Sequence, residues 1–162
     1  ELLELAKVAA ARPGKRYVEQ KLGVTKDFRP CDFFDDEVYS RCVIDYLNVN
    51  VAGDTAYVWD WKTGKDSYPD VDQLLENAVV VFAHYPKVKR VKAMLIFVDH
   101  GTSVPAEFDR DYLTDYQDQM MSECAEIDLA MEEEDYPLRK GPLCPWCPVT
   151  DCPNWSPPKK KK

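Results

Sequence analysis

The order of apolar and polar residues along the chain predicts an alternation of helices and strands. Apolar residues recur every three or four positions in Glu1–Arg12, Asp70–His84 and Asp109–Met131, as expected for amphipathic helices. Arg16–Val24 and Lys87–Asp99 are instead rich in strand-favouring residues, the latter with a basic start. With the central hairpin described next, this order predicts an α/β fold: helix, three strands, helix, strand, and an added C-terminal helix.

The middle of the chain has the pattern of a β-hairpin. Two segments rich in Val, Ile, Tyr and Trp, Tyr39–Val51 and Thr55–Trp61, flank the short turn Ala52–Asp54. Because side chains alternate between the two faces of a strand, we expect Asp60 and Lys62 to share one face of the second strand. The two tryptophans that alternate with them are expected on the other face.

One acidic residue on the first strand of this hairpin is expected to lie beside the second strand. Strict alternation places Asp45 on the same face as Val43, and pairing within the hairpin brings it next to Asp60. Two carboxylates can hold Mg²⁺ or Mn²⁺, which polarises a phosphoryl oxygen and lowers the pKa of a bound water. The carbonyl of Trp61 is a further oxygen ligand, and Lys62 can orient the water. The pattern predicts phosphodiester hydrolysis; the alternative is an exposed hairpin with a solvated ion pair.

The run I-D-(x)14-D-W-K-T-G-K, from Ile44 to Lys65, resembles a known family of nucleases. It is similar to the PD-(D/E)XK nuclease superfamily, and specifically to the RecB-like branch that contains phage exonucleases and CRISPR-adaptation nucleases. The resemblance covers about residues 1–101. It implies an αβββαβ restriction-endonuclease-like core with a mixed sheet, with Asp45 and Asp60 as metal ligands and Lys62 as the catalytic lysine.

Two further residues are candidates for the same site. Asp70–Gln73 has the form of a capping box that opens the second helix. The RecB-like branch has a glutamine near this position that contacts the site or DNA, so Gln73 either caps the helix or positions the site. Glu19, on the first predicted strand, is a candidate to face the site as well.

The C-terminal segment contains three of the six cysteines, Cys144, Cys147 and Cys152. This bunching favours a reducing compartment, such as the cytoplasm of a bacterium or of a phage host, and a metal site. The trio resembles the C-terminal cysteines of the iron–sulfur members of the RecB-like branch. That resemblance implies a [4Fe–4S] cluster, with Cys31 as the best candidate for the fourth ligand. Zn²⁺ in a four-ligand structural site and free thiols in a Pro-rich tail are the alternatives.

Length and charge limit the architecture and the binding mode. The 162 residues, 45% of them apolar, fit a nuclease-like domain at 1–140, a Cys-rich tail at 141–158 and a basic terminus at 159–162. No run of eighteen apolar residues is present, so we expect no membrane span. The net charge of −8 argues against broad non-specific adhesion to nucleic acid, but metal ions and a local basic patch can make the phosphate contacts.

These features together predict a Mg²⁺- or Mn²⁺-dependent nuclease acting on DNA, and the resemblance to the RecB-like branch implies an exonuclease with a role in recombination, repair or phage DNA processing. DNA is the expected partner, with a second copy of the chain or a recombination or replication protein as further candidates. A catalytically inactive DNA-binding module of the same fold is the main alternative hypothesis. A small metal-binding interaction protein that does not meet DNA is a third.

Overall fold

The computed structural model describes residues 2–67 and 69–158, without the side chains of residues 2, 3, 5 and 6. The basic terminus predicted at Lys159–Lys162 lies outside the described residues. The chain divides into two compact units, Glu1–Ser122 and Glu123–Lys162. None of the helices in the described part of the chain combines the length and the apolar character that crossing a membrane requires.

The first unit contains two helices, six strands and the start of a third helix. In chain order the elements are α1 (Leu2–Ala11), β1 (Lys15–Val24), β2 (Pro30–Cys31), β3 (Ser40–Val49), β4 (Thr55–Lys62), α2 (Asp72–His84), β5 (Arg90–Phe97), β6 (Thr102–Asp109), a 3₁₀ turn (Arg110–Tyr112) and α3 (Leu113–Glu133). The helix α3 ends in the second unit, where a further 3₁₀ turn spans Cys144–Trp146.

The six strands form one mixed sheet in the order β2-β1-β3-β4-β5-β6. All neighbours are antiparallel except β4 and β5, which are parallel and are connected through α2. A parallel pair needs such a crossover because the chain must return to the end of the sheet at which the first strand began. The predicted α/β class and the helix–strand order of its core are confirmed, with β2 and β6 as additions that the sequence pattern did not predict.

The two faces of the sheet have separate apolar clusters, one with α2 and the first half of α3 and the other with Ala9 of α1. On the α2 side, Leu74, Val79 and Phe82 are buried with residues of all the longer strands, including Leu47 and Val58. On the other face, the α1 side, a smaller cluster consists of Ala9, Tyr46, Trp59 and Ile96. Burying both faces makes the central strands apolar nearly throughout, so a buried charge on one of them needs a specific explanation.

The apolar stripe predicted along α3 is buried over only part of its length. Met120 belongs to the core of the first unit. Ile127 and Met131, farther along the same helix, are 61% and 64% exposed. The predicted stripe is therefore a core-forming face in the first half of the helix and a solvent-facing one in the second half.

Candidate active site

The two central strands separate in the middle of the sheet and leave a fork between them. Pairing of β3 with β4 runs from Val49↔Ala56 to Tyr46↔Trp59 and ends there. Beyond this point β3 stays paired with β1, while β4 stays paired with β5 as far as Lys62↔Phe97. Continuing the register by one step sets Asp45 opposite Asp60. Both acids therefore occupy the first position of the fork, where backbone groups have lost their partner strand.

The side chain of Asp45 bridges the two separated strands of the fork. Its Oδ2 accepts a hydrogen bond from the backbone N–H of Trp61 at 2.9 Å, and so replaces the missing bond between the strands. This bond holds the half-buried carboxylate against the peptide unit that joins Asp60 to Trp61. Because the N–H and C=O of one strand residue point toward the same neighbour, the Trp61 carbonyl also faces the fork. The next carbonyl, that of Lys62, points the other way and accepts the Val98 N–H at 2.9 Å.

The side-chain alternation of β3 breaks beside Asp45, between Ile44 and Leu47. Ile44 and Leu47 both pack into the α2-side core, although strict alternation would place them on opposite faces, while Tyr46 packs on the α1 side. The partner strand β1 breaks at the same level, at Glu19. At this distortion the side chain of Asp45 reaches β4, where its Oδ2 meets the Trp61 N–H.

Glu19 lies opposite Asp45 on β1, between the pairs Val18↔Tyr46 and Gln20↔Ile44, and both residues are missing from the ladder. It has the left-handed backbone conformation, with φ of 52°, and its side chain is exposed. A non-glycine residue in this region is strained. Glu19 therefore forms the local distortion of β1 that accompanies the break in alternation beside Asp45.

Asp60, Lys62 and Gln73 form a closed triangle at the end of β4 and the start of α2. Nζ of Lys62 lies 2.7 Å from Oδ2 of Asp60, and it donates a hydrogen bond to Oε1 of Gln73 at 2.6 Å. The amide Nε2 of Gln73 donates to Oδ1 of Asp60 at 3.0 Å. Asp60 is buried, whereas Lys62 and Gln73 are half-buried, so the triangle lies at the boundary between core and solvent. An amide suits this place because it offers a donor and an acceptor at once.

The capping interpretation of Gln73 therefore describes only its backbone. Its N–H faces Oδ1 of Asp70 at 3.4 Å, as at a helix start, but its side chain reaches the strand instead of completing a capping box. The regular helix begins at Asp72.

The donor set of the fork fits a hard divalent cation. Asp60 is buried, and its Oδ2 is paired with the Lys62 ammonium at 2.7 Å. Together with Asp45 and the Trp61 carbonyl it offers oxygen ligands of the kind that Mg²⁺ and Mn²⁺ take, while these ions keep several waters.

The cysteines predicted to hold a cluster or zinc are free thiols with half-buried side chains. Cys31 lies on the short strand β2, where burial and the nearby acids Asp35 and Asp32 raise its pKa, which disfavours the thiolate. In the second unit, Sγ of Cys144 accepts the Gly141 N–H at 3.2 Å. Within the described part of the chain, no group of three or more His, Cys, Asp or Glu side chains is arranged to hold a metal ion.

A cavity that the sequence did not reveal opens beside Asp45 on the α1 side of the sheet. It has a volume of about 410 Å³ and is lined by Ala9, Ala10, Arg16, Val18, Asp45, Tyr46 and Trp61. Apart from Asp45 and Arg16 its walls are apolar or aromatic. No sequence pattern signals this cavity, because an alternating strand does not show where its alternation will break.

A family model described as the PD-(D/E)XK nuclease superfamily matches residues 1–152. The match includes both acids of the fork, Lys62, Gln73 and the C-terminal cysteine trio. None of the curated proteins compared with the chain matches it.

Proposed function

The chain belongs to the PD-(D/E)XK nuclease superfamily, and from this premise we propose that it is a metal-dependent exonuclease that hydrolyses phosphodiester bonds in DNA. The observation that supports the proposal most directly is the fork. Two carboxylates flank one peptide unit there, one of them is buried, and an ammonium is fixed beside it. A solvated surface pair would not need a buried acid.

Asp45, Asp60 and the Trp61 carbonyl are proposed to hold one Mg²⁺ or Mn²⁺. When bound, such an ion neutralises phosphate charge and lowers the pKa of its water. The chain's own contribution is to preorganise these oxygens: Asp45 is held by the Trp61 N–H, and Asp60 by Gln73. Preorganisation matters because groups fixed before the reaction need no reorganisation when charge develops.

Lys62 is proposed to stabilise the charge that develops on the phosphoryl oxygens and to orient the attacking water. As an ammonium paired with Asp60 it has three donors and no acceptor, so it serves as a hydrogen-bond donor rather than as the base. In the hydrolysis, the water oxygen bonds to phosphorus, the bond to the leaving sugar oxygen breaks, and a proton passes to the leaving oxygen or to solvent. Gln73 positions Lys62 through its Oε1.

The finer assignment rests on the motif and on the cysteines. The run from Ile44 to Lys65 is similar to that of the RecB-like exonucleases, which supports action on DNA ends in recombination, repair or phage DNA processing. We also propose that Cys144, Cys147 and Cys152 bind a [4Fe–4S] cluster, with Zn²⁺ as the alternative. The support is the spacing of the three cysteines and its resemblance to that of the iron–sulfur members of the RecB-like branch.

The test is digestion of end-labelled linear DNA and of closed circular DNA, with Mg²⁺ or Mn²⁺, by the wild-type protein and by Lys62→Ala. Lys65→Ala is the matched control because Lys65 lies in the same turn and is exposed. We expect linear DNA to be degraded from its ends and the K62A variant to lose about 10²- to 10³-fold in kcat, as for removal of one preorganised donor.

Three outcomes would contradict parts of this proposal. No digestion by the wild-type protein with either ion, but salt-sensitive DNA binding, would identify a binding module instead of a nuclease. Equal activity of K62A and the control would remove Lys62 from the mechanism. Cleavage of circular DNA at the rate seen for linear DNA would show an endonuclease.

A further inference from the structure

A cluster of two aromatic rings and two cations lies on the surface near the fork. The rings of Phe33 and Phe34 contact edge to face, with their centroids 4.9 Å apart. Nζ of Lys21 lies 5.7 Å and 5.8 Å from the two ring centroids, and Cζ of Arg41 lies 5.3 Å from that of Phe33. Phe34 is 75% exposed, so its ring is accessible to a ligand. We call these four residues the cation–aromatic cluster.

The cluster lies on the α1 side of the sheet. The cavity beside Asp45, which we call the fork cavity, opens on the same side. In the second half of β1, Leu22 and Val24 pack into the α2-side core. Lys21 directly precedes Leu22, so alternation places its side chain on the α1 side. In β3 the burial of Cys42 and Ile44 on the α2 side places Arg41 on the α1 side in the same way.

The cluster is also close to the proposed metal ligands along the strands. Lys21 pairs with Val43, which precedes Asp45 by two residues, or about 7 Å of strand. On the far side of Asp45, the fork cavity continues this surface with the aromatic wall of Trp61 and the cation of Arg16. Asp45 therefore lies between two sites that each combine an aromatic surface with a basic side chain.

This combination matches the chemistry of an unpaired nucleic-acid strand. Unstacked bases have faces that bind aromatic rings regardless of sequence, while the phosphates between them bind Lys and Arg. In a duplex the base faces are already stacked on one another, so an exposed Phe34 gains nothing from it. Burial of the exposed ring against a base also explains how binding can occur despite a net charge of −8.

We propose that the α1-side surface of β1 and β3 is a binding track for a single-stranded nucleic acid, with Phe34 as a stacking platform for a base and Lys21 and Arg41 as phosphate contacts. The track leads the strand past Asp45 into the fork cavity, where Trp61 faces the next unstacked base. The proposal rests on the proposed function in that it names the form of substrate which the fork receives.

Few cations line the track, and this sets its salt dependence. Acidic residues of the loop that contains Phe34 reduce long-range attraction; of these, Glu37 is paired with Arg29 at 3.7 Å and Asp35 binds the Glu37 N–H. With Lys21 and Arg41 as the phosphate contacts, log K should fall with log salt with a slope of about −1.4, which is 0.7 for each contact on a single strand.

The experiment measures binding of a labelled single strand in EDTA by fluorescence anisotropy, so that no cleavage occurs. The variants are Phe34→Ala, Phe34→Tyr and, as a matched exposed aromatic away from the track, Tyr112→Ala. The ligands are an oligonucleotide, a blunt hairpin duplex of the same length, and the oligonucleotide with abasic sites. Circular dichroism and the melting temperature confirm that each variant is folded.

We expect the wild-type protein to prefer the single strand to the duplex, and F34A to weaken single-strand binding by about 5- to 150-fold, the range for one base–aromatic stack. F34Y should restore binding, Y112A should bind as the wild type does, and F34A should equal the wild type on the abasic strand. Wild-type affinity in F34A, the same loss on the abasic strand, or equal wild-type binding of duplex and single strand would each overturn the track.

Failure of the track and failure of the proposed nuclease are distinguishable. Metal-dependent digestion that is normal in F34A at every substrate concentration, with no effect on binding, would remove the track and leave the nuclease in place. The predicted binding pattern without any digestion would support the track and remove the proposed nuclease activity.

Discussion

Gln73 is the residue on which the geometry of the fork depends most and whose role was least certain from the sequence. Its amide oxygen accepts from Lys62 and its amide nitrogen donates to Asp60, so one side chain fixes both the amine and the acid. The capping-box pattern placed Gln73 correctly at the start of α2, but local sequence does not say where a side chain at a helix start points. Only the packing of α2 on β4 does.

Gln73→Glu should damage the fork more than the apolar Gln73→Met. The new carboxylate would lie against Oδ1 of Asp60, so two like charges would compete for one ammonium, and the pKa of the carboxyl pair would rise in the folded state. A raised folded pKa means that stability is present at low pH and is lost as the pH rises through it. We expect the melting temperature of Q73E to fall below that of Q73M at neutral pH and to recover on acidification. Equal melting temperatures of the two variants at all pH values would contradict the triangle.

The strands that depart from the predicted pattern do so for identifiable structural reasons. The strand β6 contains Pro105, which argues against a strand, but β6 is at the edge of the sheet, where a missing N–H is tolerated. The strand β2 has two residues and exists only through its pairing with Gly23 and Val24. The break in alternation at Asp45 needs the matching distortion at Glu19, 26 positions away in sequence, and no local pattern contains it.

The C-terminal end of α2 is held by Arg110. Its guanidinium donates to the backbone carbonyls of Phe82, Tyr85 and Val88, and burial lowers its pKa because the charge is removed from water. Replacing it leaves carbonyls at a helix end without partners.

Arg110→Met should therefore lower the free energy of unfolding by about 2–4 kcal/mol, the scale of losing hydrogen bonds from a charged group. The control is Arg90→Met, since Arg90 is exposed and pairs with Asp109 and Glu107 at the surface. An exposed pair contributes little to stability because water and salt screen it. Urea unfolding of the two variants checks the difference, and equal losses would contradict the capping role of Arg110.

At the scale of the whole molecule, the α/β class and the central hairpin could be predicted because each depends on periodicity that a sequence displays directly. The separation of β3 from β4 could not, because it depends on which neighbour each strand keeps beyond Tyr46 and Trp59. The division of the chain after Ser122 likewise depends on long-range packing. The candidate acids and lysine could be named from the motif, whereas the fork cavity and the cation–aromatic cluster required coordinates.

The cysteine trio of the second unit gives a prediction for the intact protein. If Cys144, Cys147 and Cys152 hold a [4Fe–4S] cluster, protein purified without oxygen should be brown and contain iron, and Cys147→Ser should remove both. Colourless protein with stoichiometric zinc would favour the alternative, and protein with neither metal would contradict the proposed site. DNA digestion in the presence of Mg²⁺ or Mn²⁺ by Cys147→Ser protein that lacks the cluster would show that the fork works independently of the cysteines.

The central claim is that Asp45 and Asp60 share one divalent cation at the fork. The most direct measurement is an anomalous difference map from a crystal of the protein soaked in Mn²⁺. The structure of the fork predicts a single strong peak within about 2.0–2.3 Å of a carboxylate oxygen from each acid, at the distances usual for such ions. A map with no peak there, or with the two carboxylates bound to separate sites, would contradict the claim.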